Sequence, residues 1–331
     1  MSGWHISKEQ YETLLTYFGC GDFEKAKIVV FGIEEGTGGY EIEENVMARV
    51  HSFGSFDSNG KLISAINAPS RDQGYWEPNG QSGGRKVREY IAQRDGVMPK
   101  KKAVKGGFNE IVARICLELE QPNFAPNYWF QFMGHNKKAA EMIRKRRESL
   151  FQTDSDDAIH TALTDLKPLP RKDMKKWCSE YEPSATQFGI DHGLYEKAFS
   201  LKYDEEYADP NTNYTEDVKK RLAILRNVFN RIEAPIVVGL GEIPVKKRIL
   251  EKIFPEACFE SFASNVSPRH SGLKADMRLP NRTVTVLLLP FPDRTSSEWS
   301  KREDERETAG AFMLRYFQEI TQNLIKPALG L

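Results

Sequence analysis

Long apolar runs separated by amphipathic stretches predict strands that alternate with helices along the chain. Three runs have the length and continuity of buried strands: KIVVFGI (27–33), APIVVGL (234–240) and TVTVLLL (283–289). A shorter apolar strand is predicted within AIHTALTDLKPLP (158–170), where it stops at a proline-rich turn. Strands that are apolar throughout are typical of a parallel sheet covered on both faces.

Helical periodicity marks most of the segments between these strands. The first predicted helix is amphipathic and covers residues 6–18, and a later one, YTEDVKKRLAILRNVFNRI, is predicted to be capped by Thr215. The aromatic run NYWFQFM (127–133) has the composition of a strand instead. The other predicted helices are RKVREYIAQRD, GGFNEIVARICLELE, KKAAEMIRKRRESLF, VKKRILEKIF and ETAGAFMLRYFQEITQNLI.

Apolar strands that alternate with helices indicate an α/β fold. We predict a single domain over residues 1–331, with a three-layer α/β/α arrangement around a central, mostly parallel, twisted sheet. Two polar or irregular segments, near 54–85 and 171–215, interrupt the pattern and are interpreted as insertions.

Composition excludes several classes of site. No apolar run approaches the ~20 residues of a membrane span, and MSGWHISKEQYETLL lacks the plan of a signal peptide, so a cytoplasmic location is expected. Cys20, Cys116, Cys178 and Cys258 never form a CxxC pair, which argues against zinc, iron–sulfur clusters and disulfides. No metal or other cofactor is expected.

Charge is balanced overall but unevenly distributed. The formal net charge is zero, yet residues 98–149 carry eleven Lys or Arg against five Asp or Glu. Most of this excess lies in PKKKAVKGG and NKKAAEMIRKRRES. A solvated helix face explains such a run for any single lysine, whereas two basic segments together favour a polyanionic partner.

A polar turn follows each of the four predicted strands: GIEEGTGG (32–39), TDLKPLP (164–170), GLGEIP (239–244) and PFPDRTSS (290–297). In open α/β sheets, ligands bind beyond the carboxyl ends of the strands. GLGEIP lacks the third glycine and the later acidic residue of a dinucleotide site, and no P-loop lysine follows either glycine turn. Hydride transfer and nucleotide hydrolysis are therefore disfavoured.

In order and character, the four turns resemble the motifs of the uracil-DNA glycosylase superfamily. There, the first strand ends in G-x-(Asp/Asn/Glu)-P-G, whose acidic or amide side chain positions the attacking water, and a second strand ends in an asparagine that reads the flipped base. A later strand ends in LG before a helix. The last strand ends in a turn, often beginning His-Pro-Ser, that contacts the phosphates and the leaving base. The resemblance covers residues 27–320.

The resemblance assigns roles to residues of this chain. Glu34 takes the water-activating position, Glu35 replaces the proline, and both are candidate catalytic residues. Asp165 replaces the base-reading asparagine, with Asn136 and Tyr75 as further candidate base contacts. The histidine of the last motif is absent, so the candidate contacts to phosphates and the leaving base are Arg294, Thr295, Ser296, His270, Gly36, Lys137 and Lys138.

The chemistry of these residue types agrees with the resemblance. Breaking an N-glycosidic bond builds positive charge on the sugar and negative charge on the base. A carboxylate such as Glu34 stabilises the sugar cation and orients water for attack at C1′. In the alternative interpretation, Glu34 or Glu35 caps the helix that starts near Glu41, because acids are favourable at a helix N-terminus.

Asp165 favours a cytosine-type base over uracil. An ionised aspartate only accepts hydrogen bonds, and the N4 amine of cytosine is a donor that suits it. The polar segment 54–85 offers room for a bulky modification, as in the prokaryotic antiphage glycosylases that remove glucosylated hydroxymethylcytosine from viral DNA. A turn or cap role before KPLP is the alternative for Asp165.

The sequence therefore predicts a monofunctional, monomeric DNA glycosylase that flips a base and hydrolyses its bond to deoxyribose without a metal. Three alternatives stay open. The chain is a catalytically silent nucleic-acid-binding protein on the same fold, a uracil-excising repair enzyme, or a hydrolase of free nucleosides.

Overall fold

The computed structural model describes residues 3–56, 58, 62–63, 85–100, 107–125, 128–131, 136–152, 156–173, 175–201, 213–267, 270–292, 299 and 309–331. Four predicted contact residues, Tyr75, Arg294, Thr295 and Ser296, lie outside the described residues. Most of the predicted insertion at 54–85 lies outside them as well.

Helices occupy most of the segments between the long strands. The described α-helices are α1 (Lys8–Thr16), α2 (Ile42–Phe53), α3 (Arg85–Asp95), α4 (Gly107–Glu120), α5 (Lys137–Glu148), α6 (His192–Phe199), α7 (Asn213–Arg231), α8 (Ile243–Ile253), α9 (Ala309–Ile320) and α10 (Lys326–Ala328). A π-helical turn, Thr321–Ile325, joins the last two.

The strands form a seven-stranded sheet and a small hairpin. They are β1 (Cys20–Gly21), β2 (Ile28–Gly36), β3 (Ser55–Phe56), β4 (Leu62–Ile63), β5 (Thr161–Arg171), β6 (Ile236–Leu240), β7 (Glu260–Phe262), β8 (Gly272–Leu279) and β9 (Arg282–Leu289). The large sheet has the order β1-β5-β2-β6-β9-β8-β7, and β3 pairs with β4.

The centre of the sheet is parallel. β5, β2, β6 and β9 are neighbours that run in one direction, while β1, β8 and β7 are antiparallel to their neighbours. The four central strands contain the four apolar runs of the sequence, and their apolar side chains are almost all buried. The structure thus confirms an α/β fold with a mixed sheet that is mostly parallel at its centre.

The helices pack against one another as well as against the sheet. α7 contacts α1, α6 and α8, α2 packs against α3 and α1, and α4 packs against α5. Arg221 of α7 is 1% exposed and donates to the main-chain oxygens of Asp165 and Leu166 at 2.6 and 2.9 Å. This buried arginine fixes α7 against the middle of β5.

β5 continues past the point where the sequence predicts a turn. It extends through Pro168 and Pro170 to Arg171, so the proline-rich turn predicted to end this strand is wrong. β1 covers the outer edge of β5 only at Ala162 and Leu163. Beyond them the described part of the chain places no strand on that edge, and prolines are tolerated at an unpaired edge.

Three other local predictions are wrong. The expected strand 127–133 contains a 3₁₀ turn at Tyr128–Phe130 instead. The segment 171–215, expected to be irregular, contains α6 and a 3₁₀ turn at Ser179–Tyr181. Thr215 lies inside α7, which already begins at Asn213, so it is not the cap.

The antiparallel side of the sheet was not predicted from the sequence. In β8, buried Ala275, Met277 and Leu279 alternate with the exposed Asp276 and Arg278. This period-2 pattern is typical of a strand with one solvated face, but it is shorter and weaker than the continuous apolar runs of the parallel strands.

Candidate active site

The order of strands places a crevice at the carboxyl end of β2. β5 follows β2 in sequence and pairs on one side of it, while the next parallel strand, β6, pairs on the other side. Ligands bind at such a topological switch point, beyond the carboxyl ends of the strands. The side chains at the ends of β2, β5 and β6 therefore make up the candidate active site.

Glu34 belongs to a closed set of ion pairs. Arg171 donates through Nε and a terminal nitrogen to the two carboxylate oxygens of Glu34, at 2.5 Å each, and both side chains are 2% exposed. Lys167 Nζ lies 3.7 Å from Glu34 and donates to Glu196 Oε2 of α6 at 2.7 Å. Glu196 Oε1 forms an ion pair with Arg171 at 3.0 Å, without a hydrogen bond. We call Glu34, Lys167, Arg171 and Glu196 the paired cluster.

The register of the sheet brings the paired cluster together. Glu34 is the register partner of Lys167, and a bulge then aligns Gly36 with Arg171. Burial raises the pKa of the Glu34 carboxyl, and the hydrogen bonds from Arg171 oppose that shift. Both oxygens of Glu34 accept from Arg171 and the side chain is 2% exposed, so water has little access to this carboxylate in this arrangement.

Glu35 is held differently. One of its carboxylate oxygens accepts a hydrogen bond from Arg49 of α2, whose side chain is 1% exposed. The other oxygen, Oε1, is buried and has no hydrogen-bond partner. Arg49 also donates to the main-chain oxygen of Asn45 at 2.9 Å, which fixes its orientation. Glu35 is thus a carboxylate anchored through one oxygen, and its second oxygen is a buried acceptor that no hydrogen bond satisfies.

Neither acid caps α2, so the alternative interpretation of these two residues is wrong. The N-cap of α2 is Glu41, and its main-chain N–H donates to Glu44 Oε2 at 2.9 Å. Acidic residues at a helix N-terminus are favourable, but here α2 supplies its own. Both Glu34 and Glu35 contact arginines instead.

Asp165 lies across β2 because residue 32 is glycine. The two residues are register partners, and a Cβ on Gly32 would lie 1.8 Å from Asp165 Oδ1. Asp165 is inside β5 rather than in a turn, so the alternative turn or cap role is wrong. Its side chain is partly exposed and makes no hydrogen bond to any residue that the structure describes.

Charged groups from four elements surround the Asp165 carboxyl. Burial is the main cause that raises its pKa to about 7, and the negative charge of Glu35 adds to the shift. Lys246, Arg221 and Arg49 oppose it. At neutral pH this group therefore exists in both its neutral and its ionised form.

Lys246 of α8 reaches the same region over a second glycine. Its side chain passes Gly239 of β6, where a Cβ would lie 2.8 Å from Lys246 Cδ. Its Nζ donates to the main-chain oxygens of Leu240 and Gly241 at 2.9 and 2.8 Å. Burial lowers the pKa of Lys246 to about 8, against the pull of Asp165. We call Glu35, Arg49, Asp165 and Lys246 the open cluster.

An exposed aromatic ring lies beside this site. Phe291 follows the carboxyl end of β9, is 44% exposed, and lies against Gly241, where a Cβ would come within 2.9 Å of it. The main-chain oxygen of Phe291 accepts from Trp299 Nε1 at 2.9 Å. Phe291 was not predicted from the sequence, although its position between two prolines after a buried strand indicates an exposed ring.

His270 is buried at the same edge of the sheet. It is 4% exposed, stacks face to face on Trp299 at 4.2 Å between ring centroids, and shares a short hydrogen bond with Ser267 through Nδ1. Because Trp299 covers its ring, His270 can contact a leaving base only if Trp299 moves. Its predicted role stays a prediction.

The remaining described candidates lie at the ends of elements. Asn136 is the N-cap of α5, and its Oδ1 accepts from Ala139 N at 3.0 Å. Lys137 and Lys138 follow it and are exposed. Gly36 ends β2, is exposed, and has open space around it.

Within the described ranges, no group of three or more His, Cys, Asp or Glu side chains is arranged to hold a metal ion. The described helices include none that is long and apolar enough to cross a bilayer.

The geometry of the site is the only guide to what it does. Neither a protein-family model, nor a curated protein, nor a solved structure matches this chain.

Proposed function

We propose that the protein is a DNA glycosylase that hydrolyses the bond between deoxyribose and a flipped, modified cytosine-type base, leaving an abasic site. One observation carries the proposal. At the switch point of the sheet, Glu35 is anchored by Arg49 and keeps one oxygen without a hydrogen-bond partner, next to the partly exposed carboxyl of Asp165.

The proposal gives Glu35 the role that the resemblance assigned to Glu34. A carboxylate that stabilises a sugar cation and orients water needs a fixed position and a lone pair that nothing else uses. Glu35 meets both conditions, whereas the paired cluster engages both oxygens of Glu34. Glu34 would then act on the position and field of its neighbour rather than on the water.

Asp165 and Phe291 are the proposed contacts to the base. Asp165 presents a carboxyl that no described residue uses, which suits the N4 amine of cytosine. Phe291 is 44% exposed, and a flipped base gains affinity by stacking on an aromatic side chain. A glucosylated hydroxymethylcytosine of viral DNA is the base that we propose.

The fold type, the DNA-backbone contact, the oligomeric state and the cellular location belong to the same proposal. The four neighbouring parallel strands at the centre of the sheet support a three-layer α/β/α fold of the uracil-DNA glycosylase type. The exposed Lys137 and Lys138 of α5 support contact with a DNA backbone. We propose that the protein acts as a monomer in the cytoplasm, where it meets incoming viral DNA.

The test is abasic-site formation on a panel of duplexes that carry cytosine, hydroxymethylcytosine, glucosylated hydroxymethylcytosine or uracil. We expect cleavage of the glycosidic bond of the modified cytosine by the wild type. Glu35→Gln should lower its single-turnover rate constant by about 10²–10⁴-fold, while DNA affinity changes little.

Glu24→Gln is the matched control. Glu24 is an exposed carboxylate that precedes β2, so it lies beyond the opposite end of the strand, and its variant should retain the wild-type rate. The proposal is contradicted if no duplex yields an abasic site, or if Glu35→Gln excises the base as fast as the wild type does.

The second candidate is a nucleic-acid-binding protein without catalysis on the same fold. The bidentate pairing of Glu34 with Arg171 favours it, because the acid at the position where the resemblance expects water activation is fully engaged. Tight binding of the same duplexes without any released base would support this candidate over the glycosylase.

A further inference from the structure

The carboxyl of Asp165 differs from a structural carboxyl elsewhere in the chain. Asp217 of α7 is buried, and it accepts the hydroxyl hydrogen bond of Tyr11 at 2.9 Å. Asp165 receives no such hydrogen bond from the described residues and is partly exposed at the switch point, over Gly32. A carboxyl placed in this way is available to a ligand.

We infer that Asp165 is the general acid of the reaction: it donates its proton to ring nitrogen N3 of the cytosine-type base as the glycosidic bond breaks. This role rests on the proposed function and adds a catalytic step to the reading of the base. A neutral carboxyl donates through O–H to N3 and accepts from the N4 amine through its other oxygen.

The proton and electron balance closes with the two acids of the open cluster. The C1′–N1 bond breaks, and its electron pair leaves with the base while the Asp165 proton moves to N3. The departing base is thus neutral. Water attacks C1′ and gives its proton to Glu35, and both carboxyls then return to their starting states by exchange with solvent.

The charged groups that face Asp165 come from four elements. Glu35 of β2, which is ion-paired with Arg49 of α2, adds a negative charge, whereas Arg49, Arg221 of α7 and Lys246 of α8 oppose it. Burial raises the pKa of Asp165 to about 7, which keeps a neutral fraction at physiological pH. A carboxyl that keeps its proton near neutral pH suits a general acid.

The experiment measures single-turnover excision of the modified cytosine between pH 6 and 9. The wild-type rate constant should fall about tenfold per pH unit above pH 7.5, as Asp165 ionises. Asp165→Asn should be slower by about 10²–10⁴-fold at pH 6 and should lose this descending limb. Asp217→Asn is the control and should keep the wild-type profile.

A second substrate separates proton transfer from base reading. A modified cytosine that is also methylated at N3 carries its positive charge without a proton from Asp165, so it should recover most of the rate of Asp165→Asn while changing the wild-type rate far less. Equal loss on both bases, or a wild-type rate that is flat from pH 6 to 9, overturns the general acid. Absence of any base release by the wild type overturns the proposed function itself.

Discussion

Glu34 and Glu35 are adjacent at the end of one strand, yet the fold surrounds them in opposite ways. The paired cluster balances two acids with two bases, and every charged group in it contacts an opposite charge. The open cluster leaves one oxygen of Glu35 and the carboxyl of Asp165 without a hydrogen bond to the described residues. Side chains whose charges are all paired are held in place, whereas a carboxylate oxygen without a hydrogen bond can still accept one from a ligand.

The difference arises from the geometry of strands. Successive side chains of a strand point to opposite faces, and the bulge after Glu34 changes the register with β5. Glu34 thereby meets Arg171, and Glu35 meets Arg49 of α2. Two adjacent acids in a sequence motif therefore do not reveal which of them is available for catalysis.

The largest expected effect concerns the paired cluster. Glu34→Ala leaves Arg171 buried without its carboxylate, and removing one member of a buried ion pair costs about 3–5 kcal/mol of unfolding free energy. Urea denaturation monitored by circular dichroism measures this loss. As the control, Glu216→Ala breaks the pair with Lys219, in which both side chains are more than half exposed, and should cost less than about 1 kcal/mol.

Replacement of Gly32 tests the open cluster directly. In Gly32→Ala the new Cβ overlaps Asp165 Oδ1, so the carboxyl must move off β2, and we expect a loss of about 1–3 kcal/mol in stability. Gly36→Ala is the matched control, because its Cβ meets open space. Equal melting temperatures for the two variants would contradict the placement of Asp165.

The free energy of unfolding should depend on pH through Asp165. The pKa of Asp165 is raised by folding, so the folded state binds its proton more tightly, and the stability that this adds is lost as pH rises toward 7. Asp165→Asn removes that dependence. Its stability relative to the wild type should improve by about 1–2 kcal/mol between pH 5 and pH 8, as measured by thermal unfolding at both values.

Helix α5 also carries both exposed and ion-paired basic side chains, which should affect the salt dependence of DNA binding differently. Lys137 and Lys138 are exposed, whereas Arg144 contacts Glu141 and Glu148 at 2.6 and 2.5 Å. Replacing both lysines by glutamine should reduce the slope of log K against log salt for DNA binding by about 2.

Arg144→Gln is the control for the lysine variant. Its guanidinium is already neutralised by two carboxylates of its own helix, so we expect the salt slope to stay at the wild-type value. A slope that is equally unaffected by the lysine changes would show that α5 does not contact the DNA backbone.

Much of the central sheet could be predicted from the sequence. β2, β6 and β9 follow continuous apolar runs, because strands buried on both faces contain few polar residues. β8 was missed because one of its faces is solvated, and the path of β5 was misjudged because Pro168 and Pro170 are normally strand breakers. In both cases the neighbours of the strand in the sheet, rather than its own residues, determine where the strand forms.

The grouping of the candidate residues could be predicted from the sequence only in part. Polar turns at strand ends indicated the same end of the sheet as the order of the strands does. The contribution of Arg49, Lys246 and Phe291 could not be predicted, because these residues lie on α2, α8 and the end of β9, far apart along the chain. Only the packing of those elements brings them to the end of β2.

The sequence by itself determined the α/β class, the apolar strands and the presence of two acids at the end of the first of them, because periodicity and local composition are properties of short segments. The tertiary structure decided which acid is engaged and which has an oxygen to spare. It also buries the carboxyl of Asp165, which raises its pKa to about 7. Ion pairing and burial depend on residues distant in sequence, so no local pattern encodes them.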